Sequence, residues 1–371
     1  MNPHAVQPWE QLFPPPDRDE CTVALKMRLM CKRGEPLLLI PTTGTVLDAA
    51  LSLYPAQSWK AKMARGGLSL MGKVGKLPGT TPVDLRFKAD SPFVQFLTPP
   101  GLKADQLSFA LLLGNPHAAG RRFVLLVFDA GGKPVRVVKA GAGGGRAVEL
   151  IQNEAAFRKA VPATLLNAPA IQGCFNEDGV AALAMDYVAG PTPGFDDFPP
   201  AATILESWVS RERAVRFADL PAAHRLAAEA RKDDATQAAL AKLNQIKLHS
   251  AIHHGDFAPW NIRVAHGTKH WTVLDWERGE PAGPPAWDWF HFVIQPEVLV
   301  RRASPAAIVK KVEAFFRGTE FARYAAKAGI QASARELLLG YAIYCRDITR
   351  QTEGMPVIEA LVDRLQSPPP Q

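Results

Sequence analysis

The sequence predicts an α+β protein in which a set of β-strands comes first and a set of helices follows. Between residues 107 and 188, short apolar stretches alternate with glycine-containing turns, a pattern typical of antiparallel sheets. Beyond residue 190, apolar residues recur at spacings of three and four, a pattern typical of amphipathic helices. The length of 371 residues suits two or three compact units. Strands and helices that are segregated along such a chain favour two lobes.

Residues 1–100 are predicted to be an N-terminal extension, and the sequence assigns them no role. Residues 36–41 form a short apolar strand between two prolines, and residues 45–64 are helical in part, with Pro55 as an interruption. The glycines and prolines that follow lead to a boundary at residues 98–101. This extension could enlarge the first lobe, form a separate module or mediate association.

Residues 101–190 are predicted to form the first lobe. Three apolar stretches joined by glycine-containing connections indicate an antiparallel meander. A helix that Pro162 ends and a further strand complete this lobe. The meander strands cover residues 107–113, 122–128 and 135–139, the helix covers 147–161, and the last strand covers 181–188.

Residues 191–371 are predicted to form a mainly helical second lobe. Apolar residues between 337 and 348 lie on one side of a helix, because they repeat every three to four positions. The other predicted helices cover residues 201–217, 222–250 and 304–317.

Composition argues against several classes of protein. The chain carries a net charge of +7, but its basic residues are dispersed and no base-stacking strand motif is present, so we expect no nucleic-acid partner. No apolar stretch is long enough to cross a bilayer, and the N-terminus lacks signal-peptide features, so we expect a cytoplasmic protein with no membrane partner. Four scattered cysteines indicate neither a zinc motif nor a disulfide framework. The sequence does not indicate an oligomeric state.

One stretch gathers the oxygen-bearing side chains that phosphoryl transfer needs. The apolar segments on either side of residues 265–270 predict a β-hairpin, which would bring Asn261 beside Asp275, with Asp256 a few residues upstream. Mg²⁺ prefers oxygen ligands and usually takes only one or two protein carboxylates, a role that Asn261 and Asp275 fit. A separate carboxylate must accept the proton of an acceptor hydroxyl, a role that Asp256 fits.

Three segments then resemble a known family. Residues 254–261, His-Gly-Asp-x4-Asn, resemble the catalytic loop of the aminoglycoside-phosphotransferase and choline-kinase group. Residues 274–277, Leu-Asp-Trp-Glu, resemble its metal-binding segment, and residues 285–288, Pro-Ala-Trp-Asp, resemble its Pro-x-x-Asp segment. The resemblance covers roughly residues 105–350. It implies a bilobal protein-kinase-like fold with an antiparallel-sheet N-lobe, which binds nucleotide, and a mainly helical C-lobe.

The resemblance also implies ATP and Mg²⁺ as cofactors and a small molecule with a hydroxyl group as acceptor. In the C-lobe, His254 would support the catalytic loop by hydrogen bonding rather than act as an acid or base. Asp288 would support the same loop. Whether the nucleotide is ATP or GTP is not distinguished by these residues.

In the N-lobe, the resemblance assigns a nucleotide-binding role to four residues. Lys139 ends the third strand, where a kinase-like fold has the lysine that binds the α- and β-phosphates. Glu154 in the following helix would pair with Lys139, although Glu149 competes for this role. Met185 and Tyr187 resemble the hinge, where backbone groups would meet the adenine edge.

Two other motifs favour ordinary structural roles. Residues 67–73 approach a P-loop, but Val74 stands where the loop needs a hydroxyl group. Two pairs of histidines at a spacing of four, His249 with His253 and His266 with His270, do not supply the ligand set of a zinc site. The connection at residues 114–120 lacks the Gly-x-Gly-x-x-Gly pattern of protein kinases, which argues against a protein kinase.

Charge favours a neutral or anionic acceptor, such as a sugar, a sugar derivative or a nucleoside-like compound. Residues 301–350 contain ten Lys and Arg but four Asp and Glu, whereas a pocket for a polycationic aminoglycoside should be rich in acidic residues. The competing function is that of a catalytically inactive kinase-like protein that binds a nucleotide or a partner. Loss of Lys139, Asp256, Asn261 or Asp275 would indicate such a protein, and all four are present.

Overall fold

The chain folds into two compact units. The computed structural model describes residues 7–16, 22–42, 46–53, 66–67, 77–115, 121–350 and 354–367. One unit comprises Met1–Ala156 and Pro169–Val188, and the other comprises Phe157–Ala168 and Ala189–Gln371. The first contains a large antiparallel sheet and the second is mainly helical, so the predicted α+β fold class is confirmed.

A single antiparallel sheet forms the centre of the first unit. Its described strands are β1 (Thr22–Lys32), β2 (Glu35–Pro41), β3 (Thr80–Lys88), β4 (Ser108–Leu112), β5 (Arg122–Phe128), β6 (Pro134–Gly141), β7 (Ile171–Glu177) and β8 (Val180–Asp186). They lie in the order β3-β1-β2-β4-β5-β6-β8-β7. The meander predicted from the apolar stretches is therefore present as β4, β5 and β6, which pair antiparallel in sequence order.

Residues 1–100, whose role the sequence left open, contribute three strands to this same sheet. Strand β1 pairs with β2 on one side and with β3 on the other, and β2 pairs with β4 through Leu38 and Leu39. The described part of the extension thus enlarges the first unit. Strands β1, β3 and β7 were not predicted, although alternate residues of β1 from Val23 to Leu29 are apolar, as in a half-buried strand.

Helices cover both faces of the sheet in the first unit. The described helices here are α1 (Leu47–Ser52), α2 (Pro92–Leu97) and α3 (Arg146–Ala160), and single 3₁₀ turns occur at Pro8–Gln11 and Ala104–Gln106. Only residues 47–52 of the predicted helix at 45–64 can be compared, because most of the remainder lies outside the described residues. The predicted helix at 147–161 matches α3.

Short strands and many helices make up the second unit. The strands are β9 (Val215–Arg216), β10 (Lys247–Leu248), β11 (Ala251–His253), β12 (Ile262–Val264), β13 (Trp271–Val273) and β14 (Glu280–Gly283). The described helices are α4 (Ala163–Leu166), α5 (Phe198–Trp208), α6 (Pro221–Glu229), α7 (Asp234–Asn244), α8 (Trp287–Pro296), α9 (Pro305–Phe316), α10 (Thr319–Ala328), α11 (Ala334–Tyr344) and α12 (Met355–Gln366). Two π-helical turns follow α8 and α11, at Glu297–Arg301 and Cys345–Thr349.

The single helix predicted for residues 222–250 is wrong. Helix α6 ends at Glu229, and α7 begins after Asp233, whose carboxylate accepts a hydrogen bond from the Thr236 N–H at 2.8 Å. Such an N-cap starts a new helix because it satisfies a backbone donor that has no partner within the helix. The residues after α7 are extended and form β10 and β11, which lead directly into the predicted catalytic loop.

The N-terminal 3₁₀ turn is anchored in the core of the first unit by aromatic packing. Phe13 is 1% exposed, and its ring centroid lies 5.3 Å from that of Phe87 in β3 and 5.2 Å from that of Phe109 in β4. Aromatic pairs at such distances contribute beyond the area that they bury. Phe13 therefore connects the first residues of the described chain to β3 and β4, the strands on either side of the β1–β2 pair.

We predict that Phe13→Ala destabilises the protein by about 3–5 kcal/mol, because it leaves a cavity among buried rings. Chemical denaturation followed by circular dichroism measures this loss. Leu165→Ala is the control, since Leu165 is 36% exposed and should tolerate truncation. Equal stability of the two variants would contradict the packing of the N-terminal residues described above.

Candidate active site

A β-hairpin places Asn261 next to the segment that contains Asp275. Strands β12 and β13 pair antiparallel with Ile262 opposite Val273. The ladder continues by one residue, because the Leu274 N–H donates to the Asn261 carbonyl at 2.8 Å. The predicted hairpin is therefore present, and the residue after Leu274 is Asp275.

The turn before this hairpin requires glycine at position 255. Gly255 has a φ of +77°, in the left-handed region that L side chains rarely adopt. A Cβ atom at this position would also lie 2.8 Å from the Cβ atom of Arg278. The tight approach of residues 255 and 278 explains why the loop has a glycine between His254 and Asp256.

His254 links the predicted catalytic loop to the hairpin as a neutral imidazole. Its Nε2 lies 2.8 Å from the Leu274 carbonyl, which can only accept, so Nε2 carries the proton. Its Nδ1 accepts the Asp256 N–H at 3.1 Å. The side chain is fully buried, and this burial lowers the pKa of His254 below its ordinary value. These contacts suit a supporting residue, as proposed from the sequence.

Asp288, at the start of α8, holds the backbone of the same loop. Its two carboxylate oxygens accept the N–H groups of His254 at 2.7 Å and of Gly255 at 3.0 Å. The side chain is buried, and desolvation raises the pKa of Asp288. The loop is thus fixed by one carboxylate through its main chain and by one imidazole through Leu274.

The carboxylate of Asp256 has a donor on each oxygen. The Asn261 Nδ2 lies 2.9 Å from the Asp256 carbonyl and 3.0 Å from its Oδ2, and the His291 Nε2 lies 2.8 Å from its Oδ1. The Asp256 side chain nevertheless remains 30% exposed. Burial raises the pKa of Asp256, but the hydrogen bond from His291 and nearby positive charge, including that of Arg278, lower it, and the net shift is downward. Asp256 is therefore a carboxylate at neutral pH.

The contacts of Asn261 determine which of its amide atoms can meet a cation. Both of its partners, the carbonyl and the carboxylate of Asp256, can only accept hydrogen bonds. The amide nitrogen must therefore point towards Asp256, which leaves Asn261 Oδ1 as the oxygen that a metal ion could use. An oxygen donor at this position fits the ligand preference of Mg²⁺.

Asp275 has an unusual backbone conformation. Its φ is +68°, which is uncommon for a residue other than glycine and costs on the order of 1–3 kcal/mol. Its side chain is partly buried. Strain of this kind is concentrated at functional sites, where the surrounding structure maintains it. The hydrogen-bonded hairpin on one side and the buried Trp276 on the other maintain it here.

Lys139 and Glu154 form an ion pair within the first unit. The Lys139 Nζ in β6 lies 2.7 Å from the Glu154 Oε2 in α3, and the Glu154 side chain has no exposed area. Glu149, the alternative from the sequence, is exposed and lies 3.5 Å from Arg146 on the same helix. The structure thus pairs Lys139 with Glu154.

The two hinge candidates make backbone contacts within the first unit. Met185 pairs with Val137 on one side and with Ile171 on the other, and its side chain is 5% exposed. The Tyr187 N–H donates to the Val135 carbonyl at 3.2 Å. A contact of Met185 or Tyr187 with adenine stays a prediction, and it would have to use atoms other than these paired groups.

His291 was not predicted to be part of the site. It lies on α8, three residues after Asp288, and therefore on the same face of that helix. The spacing was visible in the sequence, but the contact of His291 with Asp256 follows from the packing of α8 against the loop at residues 254–261. Its neighbours Trp287 and Trp289 are buried in the core.

The remaining sequence motifs do not add to this site. Among the residues that the structure describes, no three His, Cys, Asp or Glu side chains are close enough to hold a metal ion together. Most of the P-loop-like segment at 67–73 and of the connection at 114–120 lies outside the described residues. Within the described parts of the chain, no helix has both the length and the apolar character that crossing a membrane requires.

Comparison with protein families identifies the family of the chain. The model of the phosphotransferase enzyme family called APH matches residues 115–328. This match spans more than half of the chain, which therefore belongs to that family, and the resemblance inferred from the motifs is confirmed. No curated protein shows a significant match to the chain.

Several phosphotransferases are among the solved structures that match the chain at low sequence identity. The apo form of a thermostable mutant of aminoglycoside phosphotransferase APH(4)-Ia is 15% identical, with a TM-score of 0.45 over 70% of this chain and 94% of that one. Ethanolamine kinase from Plasmodium vivax is 10% identical, with a TM-score of 0.45 over 87% and 93% of the two chains. A macrolide 2'-phosphotransferase from Brachybacterium faecium is 17% identical, with a TM-score of 0.36 over 70% and 93%.

We predict that Asp288→Ala destabilises the protein, because the buried N–H groups of His254 and Gly255 lose their acceptor. Each unsatisfied group costs about 1–3 kcal/mol. The free energy of unfolding in urea measures the effect. Asp288→Asn is the matched variant, since its amide oxygen keeps one acceptor and should retain part of the stability. An unchanged unfolding free energy for Asp288→Ala would show that this carboxylate does not hold the loop.

Proposed function

We propose that this member of the phosphotransferase enzyme family transfers the γ-phosphate of ATP to a hydroxyl group of a small molecule. The observation that carries the proposal is the state of Asp256, an ionised and partly exposed carboxylate fixed by a donor on each oxygen. General bases need this combination of basicity, fixed orientation and access to the substrate. Asp288, in contrast, is buried and directs both oxygens to backbone donors of the loop.

Each residue of the site has a distinct task in this proposal. Asp256 accepts the proton of the acceptor hydroxyl as the oxygen attacks the γ-phosphorus. Lys139, held by Glu154, binds the α- and β-phosphates, because its ammonium group neutralises their charge. His254 and Asp288 keep the catalytic loop in place without touching the substrate.

Asn261 and Asp275 would hold Mg²⁺, which neutralises charge on the phosphates when it is bound. Two features support this assignment. Asn261 directs its amide nitrogen to Asp256 and so keeps its oxygen for a cation. Asp275 follows the residue that pairs with Asn261, and its strained backbone is maintained by that hairpin. An amide oxygen and a carboxylate together match the ligands that Mg²⁺ takes from proteins.

The acceptor that we propose is neutral or anionic, such as a sugar or a sugar derivative. The charge excess at residues 301–350 supports this less than it did from the sequence alone, because five of the ten cations form ion pairs: Arg301, Lys311, Arg323, Arg335 and Arg346. Arg278 gives better support. It is exposed, its Cβ atom lies against Gly255, and its charge acts on Asp256. A cation at this position would repel a polycationic acceptor.

We predict that Asp256→Asn lowers the rate of ADP release by about 100-fold or more, since a neutral amide cannot accept the proton. ATP, Mg²⁺ and a panel of hydroxyl compounds provide the assay, and calorimetry gives the nucleotide affinity. That affinity should change little, because the amide oxygen of the substituted side chain can still accept the hydrogen bond from Asn261. Asp363→Asn, on the exposed face of α12, is the control and should have the wild-type rate. Wild-type protein that binds nucleotide but transfers phosphate to no acceptor would instead support the inactive kinase-like alternative.

The acceptor class leads to a separate prediction. Neutral and anionic hydroxyl compounds should give higher kcat/KM than kanamycin-like polycations in the same panel. Arg278→Glu should shift this preference towards the polycations, because it replaces a repulsive charge by an attractive one. Mass spectrometry of the products identifies the phosphorylated compound. Preferential phosphorylation of polycations by the wild-type protein would contradict the proposed class.

A further inference from the structure

Helix α8 also supplies a hydrogen-bond donor, His291, to the proposed base. Neither the motifs nor the family match assigns a role to this histidine. His291 on α8 is 4% exposed, and its Nε2 lies 2.8 Å from the Asp256 Oδ1. A carboxylate can only accept a hydrogen bond, so the imidazole must donate through Nε2. One face of α8 thus holds both the loop backbone, through Asp288, and the side chain of Asp256, through His291.

The other nitrogen of His291 is engaged by α11. The Tyr341 Oη lies 3.0 Å from the His291 Nδ1, and the Gln295 Nε2 lies 3.4 Å from the same oxygen. With its proton on Nε2, a neutral imidazole accepts at Nδ1, so the tyrosine hydroxyl donates to it. Burial raises the pKa of Tyr341 well above its ordinary value, which keeps this hydroxyl protonated. The hydrogen bonds run in one direction, from Gln295 through Tyr341 and His291 to Asp256.

Hydrogen bonds at both ring nitrogens orient His291. A cavity of about 10 Å³, near the least that can hold one water molecule, borders the imidazole and is also lined by Gly255, Tyr341 and Cys345. The contacts to Tyr341 and Asp256 select one tautomer and one ring orientation.

We propose that His291 is a positioning residue for phosphoryl transfer, acting through Asp256 and kept in its donating tautomer by Tyr341. This inference rests on the proposed function. Asn261 holds one oxygen of the Asp256 carboxylate and His291 holds the other, so the plane of the carboxylate is fixed. Each oxygen keeps a further lone pair, and one of these faces the acceptor hydroxyl.

The step itself leaves His291 unchanged. The acceptor oxygen forms a bond to the γ-phosphorus, and the bond between that phosphorus and the β,γ-bridging oxygen breaks to give ADP. The acceptor proton passes to the Asp256 carboxylate, and the His291 Nε2 proton stays on the imidazole. The contribution of His291 is therefore orientation, which effective-molarity arguments show to be a large part of enzymatic rate enhancement.

The proposal is tested by comparing kcat and KM for three variants with wild-type protein. His291→Leu removes both hydrogen bonds and should lower kcat about 10-fold to 100-fold, with little change in KM for ATP. His291→Gln restores a nitrogen donor within reach of Asp256, and its kcat should recover to within a few-fold of wild type. Tyr341→Phe should have an intermediate kcat, because His291 keeps its contact to Asp256 but loses the partner that fixes its tautomer.

Control measurements separate this role from a loss of folding. Thermal unfolding and nucleotide affinity report whether each variant is intact, and His249→Leu, a partly buried histidine outside the site, should keep the wild-type kcat. If His291→Leu does not fold, the comparison of His291→Gln with Tyr341→Phe still decides. In that case a wild-type kcat for Tyr341→Phe overturns the proposal.

Other outcomes distinguish this inference from the proposed function. A folded His291→Leu variant with the wild-type kcat overturns the positioning role alone. The same is true if His291→Gln is as slow as His291→Leu, since that result would point to ring volume and not to the donor. Absence of transfer by the wild-type protein to every acceptor overturns the proposed function, and this role with it.

Discussion

The hydrogen bonds from the backbone of His254 and Gly255 to the buried carboxylate of Asp288 hold the candidate site together. A buried carboxylate is costly unless donors surround it, and a tight glycine turn exposes backbone N–H groups that need an acceptor. The Asp288 carboxylate accepts hydrogen bonds from the N–H groups of the turn, and these N–H groups stabilise the buried carboxylate. His254 then extends the connection to Leu274 through its side chain. The loop at residues 254–261, the hairpin and α8 are therefore fixed relative to one another by three hydrogen bonds of 2.7, 2.8 and 3.0 Å.

Each unit has its own polar contacts. In the second unit, imidazole, amide and carboxylate groups are hydrogen-bonded around the loop at residues 254–261. In the first unit, the ion pair of Lys139 with Glu154 joins an inner strand to a helix. Burial of Glu154 makes this pair sensitive to the loss of either partner, because the remaining charge would be buried without compensation. It thereby fixes the position of the lysine more firmly than a surface ion pair would.

Local rules predicted the parts of the site that are close in sequence. Asn261 and Asp275 are joined by one hairpin whose register follows from two short apolar strands and a turn, and this proximity could be derived from the sequence. The contact of His291 with Asp256 depends on where α8 packs, and that of Tyr341 on α11, fifty positions further on. Packing of this kind has no periodic signature. The pairing of β1 with β3 was missed for the same reason, since nearly fifty residues separate the two strands although both alternate.

The N-terminal strands have a consequence for the solubility of the chain. In the full sheet, β4 is an inner strand whose backbone pairs with β2 through Leu38 and Leu39. A chain shortened to start near residue 101 would leave one side of β4 without a neighbour and would uncover Leu111, which is fully buried. Unpaired apolar edges of this kind recruit strands from other molecules. Strand β2 covers this edge of β4 in the folded protein.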